Sequence, residues 1–362
     1  MTFSTGKRIS NVHIVLISMS AIGILDHVII IPILLKISGR DAWLSVLTSG
    51  LLLFLWLPML YFIIKRTKQQ NLFLWVKSKY GVLLSSFIRS SFFINFLFIS
   101  TMTTKDVTDW ADMSYLPETP KVILIASILL VSCYVAYSGI RTLAIVNGIL
   151  LPFIVLFGFY VAISNSSKKD YTLLFPVFEH GMQPYLHGVI YGCGGFMELI
   201  FILSFQHLIR TKIRRLTLII TAFILINLTL SPLTGAIAEF GPIEAASMRF
   251  PAFEEWRLVS FSHYIEHTDF LSIYQWLSGS LIRLSLALCL QAEALNITTP
   301  FKRMICIIAT TVFILIFGIL PISDITFIQL LLQSLPYFLL FNLGISLLLF
   351  VLVLVKKEKV TM

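Results

Sequence analysis

Charge is what this chain has least of. Asp, Glu, Lys and Arg together occupy 12% of its 362 positions, about half the share in an ordinary soluble domain. Hydrophobic residues fill 57% and mean hydropathy is +0.91, which excludes water as the main solvent. A soluble core of this size would show its apolar residues as periodic stripes, whereas here they come in repeated runs long enough to cross a bilayer.

Other shortages narrow the function. The four cysteines, Cys133, Cys193, Cys289 and Cys306, all sit in apolar stretches without metal-ligand spacing, so neither disulfides nor a metal centre is expected. There is no nucleotide-binding loop, no zinc-type pair of histidines with a glutamate on a helix, and no nucleophile motif. The expectation is a chain that is not an enzyme and carries no catalytic residues and no cofactor. Net charge is +9, yet the basic residues lie in short segments between apolar runs and form no single basic face, so no nucleic-acid partner is expected. Lys7 and Arg8 before an apolar run imitate a secretory signal. The run to about Lys36 is too long for one, lacks a small-residue cleavage site and is followed by more spans, so it reads as the first membrane helix.

What is present is a series of apolar stretches of about 18 to 25 residues. They predict an all-α, polytopic membrane protein with about ten transmembrane helices, at 11–36, 43–64, 82–104, 121–138, 142–163, 188–208, 216–237, 271–294, 304–322 and 334–355. No soluble domain remains. With the N-terminus inside, the inner segments hold Lys7, Arg8, Lys65, Arg66, Lys68, Lys77, Lys79, Arg141, Arg210, Lys212, Arg214, Arg215, Lys302, Arg303, Lys356, Lys357 and Lys359. The outer ones hold only Lys36, Arg40, Lys105, Lys121, Lys168, Lys169, Arg249 and Arg257. The positive-inside rule therefore puts both termini in the cytoplasm. The outer loops also read as acidic, with Asp106, Asp109 and Asp112 in one and Glu239, Glu254 and Glu255 in another. Two long connections, 164–187 and 238–270, lie outside. The second, with Trp256, Phe261 and Tyr264, predicts short helices on the outer membrane face that act as a lid.

Two spans look interrupted. Helix 1 carries Gly23-Ile24-Leu25-Asp26-His27 and then Pro32, and helix 6 carries Gly192-Cys193-Gly194-Gly195-Phe196-Met197-Glu198. In each, a carboxylate follows a glycine at the same spacing: Gly23 to Asp26, Gly195 to Glu198. Helices 1 and 6 open two five-helix halves, about 11–163 and 188–355. An odd number of helices per half makes the halves insert with opposite orientation, the geometry of inverted-repeat transporters. Unwinding at the bilayer midplane frees backbone groups that lipid cannot satisfy, and an amino-acid zwitterion supplies partners for both kinds. The alternative is that the glycines only permit close helix packing.

Asp26, Arg89, Glu198, Arg283 and Glu293 fall within the spans, where ionisable groups must be paired, hydrated or protonated. Arg89 and Arg283 are candidate partners for Glu198 or Asp26. One carboxylate is then a proton site or an ammonium contact, or all of them fix helix register. His27 is a candidate titrating group, and Phe92, Phe93, Phe96 and Trp276 are candidate pocket walls.

Several stretches resemble the B-subunit family of spore germinant receptors, within the amino acid, polyamine and organocation transporter superfamily. They are Pro32 with Gly39-Arg40-Asp41-Ala42-Trp43; Asn71-Leu72-Phe73 with Gly81; Gly139-Ile140-Arg141; and Phe240-Gly241, Phe250-Pro251, Arg257 and Ile265-Glu266 running into Trp276. They follow family order across nearly the whole chain. Helix 1 departs from the family pattern in placing Asp26-His27 where a second small residue usually follows the first glycine, and His267 stands in place of an arginine. The resemblance implies a nutrient site in the membrane at Gly23, Ile24 and Leu25 and at Gly192, Cys193, Gly194 and Gly195, with side chains from helices 3 and 8. It also implies partner A and C subunits and the inner membrane of a dormant spore. The expected function is nutrient sensing. A proton-coupled amino-acid permease, with Glu198 or Asp26 carrying the proton, remains open, as does a non-sensing structural or ion-conducting subunit.

Overall fold

The computed structural model describes residues 8–259, 268–297 and 299–355. Among them there is no strand, only an isolated parallel bridge between Ile9 and Ile209. Among the described residues nine helical stretches are long and apolar enough to cross a membrane. The first, Asn11–Arg66, has 56 residues, about twice what one crossing needs. It turns at Gly39, whose φ of +52° only glycine adopts without strain. Ten crossings result, as the hydropathy predicts.

Helix 1 comprises Asn11–Ala21, a wide turn at Leu25–Ile29 and Ile31–Ser38, and helix 2 is Ala42–Arg66. A connecting helix, Leu72–Tyr80, precedes helix 3 at Val82–Ser114. Helix 4 (Lys121–Ser138) and helix 5 (Ile140–Ser164) are joined by Gly139 alone, at φ +93°, which explains how so tight a hairpin forms. Helix 6 runs through 182–208 in four segments; helix 7 is Arg215–Phe240, helix 8 Leu271–Ala294, helix 9 Pro300–Ile319 and helix 10 Asp324–Val355.

Three boundaries differ most from the hydropathy reading. Helix 3 continues ten residues past its apolar run, so Asp106, Asp109 and Asp112 lie on a helix and not in a loop. Ion pairs make this possible: Lys105 Nζ lies 2.6 Å from Asp109 Oδ2, and Lys121 reaches Asp109 at 3.3 Å and Asp112 at 3.1 Å. Helix 6 begins at Met182, and helix 10 begins at Asp324.

Several neighbour relations recur when helices 1–5 are exchanged with helices 6–10. Helix 1 packs on helix 7 and helix 6 on helix 2; helices 3 and 8, 2 and 7, and 4 and 9 pair with each other. At one end of the bundle the basic connectors gather: Ile9 pairs with the 6–7 connection, Gln206 Nε2 donates to the Gln70 carbonyl at 2.9 Å, and the Tyr80 hydroxyl donates to the Leu352 carbonyl.

At the opposite end the 238–270 segment forms two short helices, Pro242–Ser247 and Pro251–Arg257, which pack on the second half of helix 1. Phe261, Tyr264, Ile265, Glu266 and His267 lie outside the described residues. Arg249 clasps this segment to the bundle: its Nη2 donates to Asp106 of helix 3 and its Nε to Asp324 of helix 10, both at 2.8 Å. Its guanidinium also lies 4.3 Å from the centre of the Phe250 ring. Beneath, Glu255 is buried against Gly235, whose missing side chain leaves room for it; a Cβ there would lie 2.9 Å from Oε2. Burial and the neighbouring Glu239 push the Glu255 carboxyl well above the usual range, with Lys169 opposing. A folded-state pKa raised above the unfolded value stabilises docking at low pH, and that contribution is lost as pH rises through the folded value. Amide protection over 242–257, taken relative to the intrinsic exchange rate at each pH, should therefore fall as pH rises above the ordinary carboxylate range, and Glu255→Gln should flatten that dependence.

Candidate functional site

The interruption of helix 1 is a widened turn. Ile30 N–H donates to the Leu25 carbonyl at 2.9 Å, one residue further than an α-helical bond, and such π-turns concentrate at functional positions. In helix 6 the α-helix Met182–Phe196 tightens to a 3₁₀ turn at Met197–Phe201, then continues as Ile202–Phe205 and Gln206–Leu208. Both irregular stretches sit near the middle of their crossings.

Gly192, Cys193, Gly194 and Gly195 are therefore not unwound, contrary to the sequence expectation; they belong to regular helix, and the irregularity follows them. Their smallness serves close approach. A Cβ at Gly192 would lie 2.5 Å from the Ser49 hydroxyl, one at Gly194 3.2 Å from the Leu335 carbonyl, and one at Gly195 2.6 Å from Asp26 Oδ1. Gly188, one turn earlier, meets Ser38 and Ser45 in the same way. Helix 6 thus packs backbone-close on helices 1, 2 and 10, which a chain with side chains at these positions cannot do. Cys193 is only partly buried. Gly23 approaches Leu228, Ile24 fills the notch left by Gly279 of helix 8, and Leu25 is buried.

Arg283, near the middle of helix 8, joins the two interrupted helices. Its Nη1 and Nη2 donate to Glu198 Oε2 and Oε1, each at 2.6 Å, a two-pronged geometry that a planar guanidinium matches. Nη1 also donates to the Ala21 carbonyl at 2.6 Å, at the end of the first segment of helix 1, and Nε donates to Thr103 Oγ1 of helix 3 at 2.8 Å. Arg283 is 4% exposed and Glu198 2%. One guanidinium therefore ties four helices together.

Asp26 stands beside this pair without a partner of its own. It is 1% exposed, its Oδ1 faces Gly195, and its Oδ2 has no hydrogen-bond partner. His27 turns away: its Nδ1 lies 2.9 Å from the Leu228 carbonyl, which can only accept, so the proton sits on Nδ1. The expected pairing of Arg89 with either acid does not occur. Arg89 lies fourteen residues before Thr103 on helix 3, about 21 Å along its axis, too far to reach, and its Nε and Nη2 have no partner. Glu293 pairs with Arg303 at 2.5 Å and His207 at 3.6 Å, at the basic end of the bundle.

Aromatic layers close the centre from both sides. Two turns from Thr103 and Arg283, Trp110 stacks on Trp276 with centroids 4.4 Å apart, and Phe250 and Phe253 meet their edges. Two turns the other way, Phe96 packs on Phe201 at 4.7 Å and on Phe92, which meets Phe73. Phe92, Phe96 and Trp276 are thus lid and floor to the ion pair, and Phe93 is part-buried packing.

Sequence reasoning missed several members of this centre. The serines of helix 2 that receive helix 6, Ser45 and Ser49, recur at a spacing of four, a signal that a search for small-residue stripes finds. Thr103 belongs to the polar run Ser100, Thr101, Thr103 and Thr104, unusual inside a span. The Asn95–Asn342 bond between helices 3 and 10, at 2.7 Å, joins residues 247 apart in sequence, and no local pattern announces it. Among the described residues no cluster fit to hold a metal ion occurs.

Removing one member of a buried ion pair leaves the other uncompensated, at a cost of about 3–5 kcal/mol. Glu198→Gln and Arg283→Gln should each lower the thermal unfolding midpoint of the purified protein. The arginine variant should fall further because Ala21 and Thr103 also lose a donor, and the double variant should lose less than the sum of the two.

Comparison with known proteins accords with this geometry. The family model described as "Spore germination protein" matches residues 8–320. "Spore germination protein XB" of Bacillus anthracis is 43% identical over 315 residues, covering 87% of this chain and 88% of that one. "Putative spore germination protein YfkT" of Bacillus subtilis (strain 168) is 23% identical over 258 residues, 70% of each chain. Among solved structures, MhsT in complex with L-phenylalanine superposes with a TM-score of 0.63 over 97% of this chain and 99% of that one, at 12% identity, a likeness of fold. An integral membrane chain with a transporter-like fold, matched by the family model over most of its length, this protein belongs to the spore germination protein family.

Proposed function

We propose that this chain is the nutrient-sensing membrane subunit of a spore germinant receptor, binding a small amino acid between helices 1 and 6 and passing the bound state to partner A and C subunits. The observation that carries this reading is the unpartnered carboxylate of Asp26. Glu198 already has Arg283, so two acids share one cation at membrane depth, where an uncompensated charge is costly. The ammonium of an amino acid supplies the missing cation as a charge-assisted hydrogen bond. The fold shared with a protein crystallised with L-phenylalanine supports a small amino acid as the ligand class.

Sensing follows from the same geometry. The centre is sealed by aromatic layers and by the Arg249 clasp, so a ligand enters only when the outer segment moves, and a ligand that favours one arrangement shifts the equilibrium between them. Partner subunits in contact with the bundle read that shift. The excess of basic residues at one end supports a cytoplasmic position for that end, with both termini, and on this reading the membrane is the inner membrane of the spore. Transport is the rival outcome: accumulation of labelled amino acid in liposomes holding the purified chain would favour a permease.

Germination of spores lacking this gene, complemented with wild type and tested against the twenty L-amino acids, identifies the nutrient. With that nutrient, Asp26→Asn should raise the half-maximal concentration by about tenfold or more while the protein stays at wild-type abundance. Gly195→Ala, which pushes a methyl group against Asp26, should shift the response in the same direction. An unchanged dose-response in both variants would remove the ligand from this site.

A further inference from the structure

At the basic end of the bundle, the last turns of helix 2 and the first turns of helix 7 enclose a cavity of about 750 Å³. Its rim carries Lys65, Arg66, Lys68 and Arg215, and among the described residues no acidic one lines it. Arg66 sits 5.3 Å from the centre of the Phe62 ring and Arg215 5.0 Å from that of Tyr61, so aromatic faces hold both guanidiniums over the opening. Lys65, Arg66 and Arg215 are exposed, and among the described residues no carboxylate pairs with any of the three. Deeper in, the wall turns apolar: Phe54, Leu57 and Pro58 from helix 2 face Leu218 and Ile219 from helix 7.

Cations at the mouth and hydrocarbon below define an amphiphile with an anionic head. A free phosphate would leave the apolar wall unmatched, and a neutral lipid would leave the cations unmatched. Clefts of this kind between membrane helices, with basic rims, select anionic headgroups, each Lys or Arg adding to the attraction. We propose that this cavity binds one anionic phospholipid, its phosphate between Arg66 and Arg215 and its acyl chains along helices 2 and 7. The lipid would hold together two helices that flank the interrupted pair, since helix 2 receives helix 6 and helix 7 receives helix 1.

The test uses the full chain purified in a neutral detergent, with phosphatidylglycerol, phosphatidylcholine or glycerol phosphate added. Lipid occupancy is read by native mass spectrometry and stability by the thermal midpoint. Phosphatidylglycerol should bind about tenfold or more tightly than phosphatidylcholine and raise the midpoint, and glycerol phosphate should do neither. The exposed triple variant Lys65→Gln, Arg66→Gln, Arg215→Gln should keep its midpoint in phosphatidylcholine and lose the preference for phosphatidylglycerol. Equal binding of the two lipids, an unaltered preference in the variant, or full stabilisation by glycerol phosphate would each overturn the proposal.

Discussion

At the middle of the bundle a guanidinium is held where no water reaches it, and nearly everything else follows from keeping it satisfied. Arg283 needs acceptors for its donors, and in lipid only protein can supply them. Glu198 provides two, Ala21 and Thr103 one each, and these come from three other helices. An arginine with these partners cannot shift along its helix without breaking the set. Helices 1, 3, 6 and 8 therefore share one register, and the irregular turns of helices 1 and 6 are held level with each other.

Close packing makes that arrangement reachable. Glu198 can meet Arg283, and Asp26 can face Gly195, because helix 6 presents glycines where helices 1, 2 and 10 arrive. The serines opposite satisfy themselves on backbone carbonyls: Ser45 and Ser49 donate to Tyr185 and Val189 at 2.9 and 3.0 Å. Small residues and short hydroxyls replace the hydrophobic driving force that lipid removes. Asp26 is the one acid of the centre left without a counter-ion.

Each end of the bundle is fastened by its own charge network. On one side Arg249 spans Asp106 and Asp324 and draws the short helices over the aromatic layer of Trp110 and Trp276. On the other, Glu293 holds Arg303 and His207, and His207 meets Asn71 at the start of the connecting helix. Both networks join segments far apart in sequence by polar contacts that hydration can replace. Such contacts part and re-form more readily than hydrophobic packing does.

The one-dimensional pattern was enough for the membrane class, the ten crossings and the two mid-helix irregularities, because the bilayer imposes length and apolarity on each crossing independently of its neighbours. Helix 4 and helix 8 were read to the residue for that reason. Helix 3 was cut short because its last ten residues are polar, and a helix there depends on the Lys105–Asp109 pair within it together with tertiary ion pairs from Lys121 and Arg249. The charged residues Asp26, Glu198 and Arg283 could be named from their burial alone. Which of them pair could not, since 85 residues separate Glu198 from Arg283 and Arg89 looked equally available until its depth along helix 3 was known. The glycines of helix 6 were legible as special but not as packed helix, because a missing side chain reads the same whether the backbone bends there or another helix presses against it. Only the position of that neighbour decides between the two.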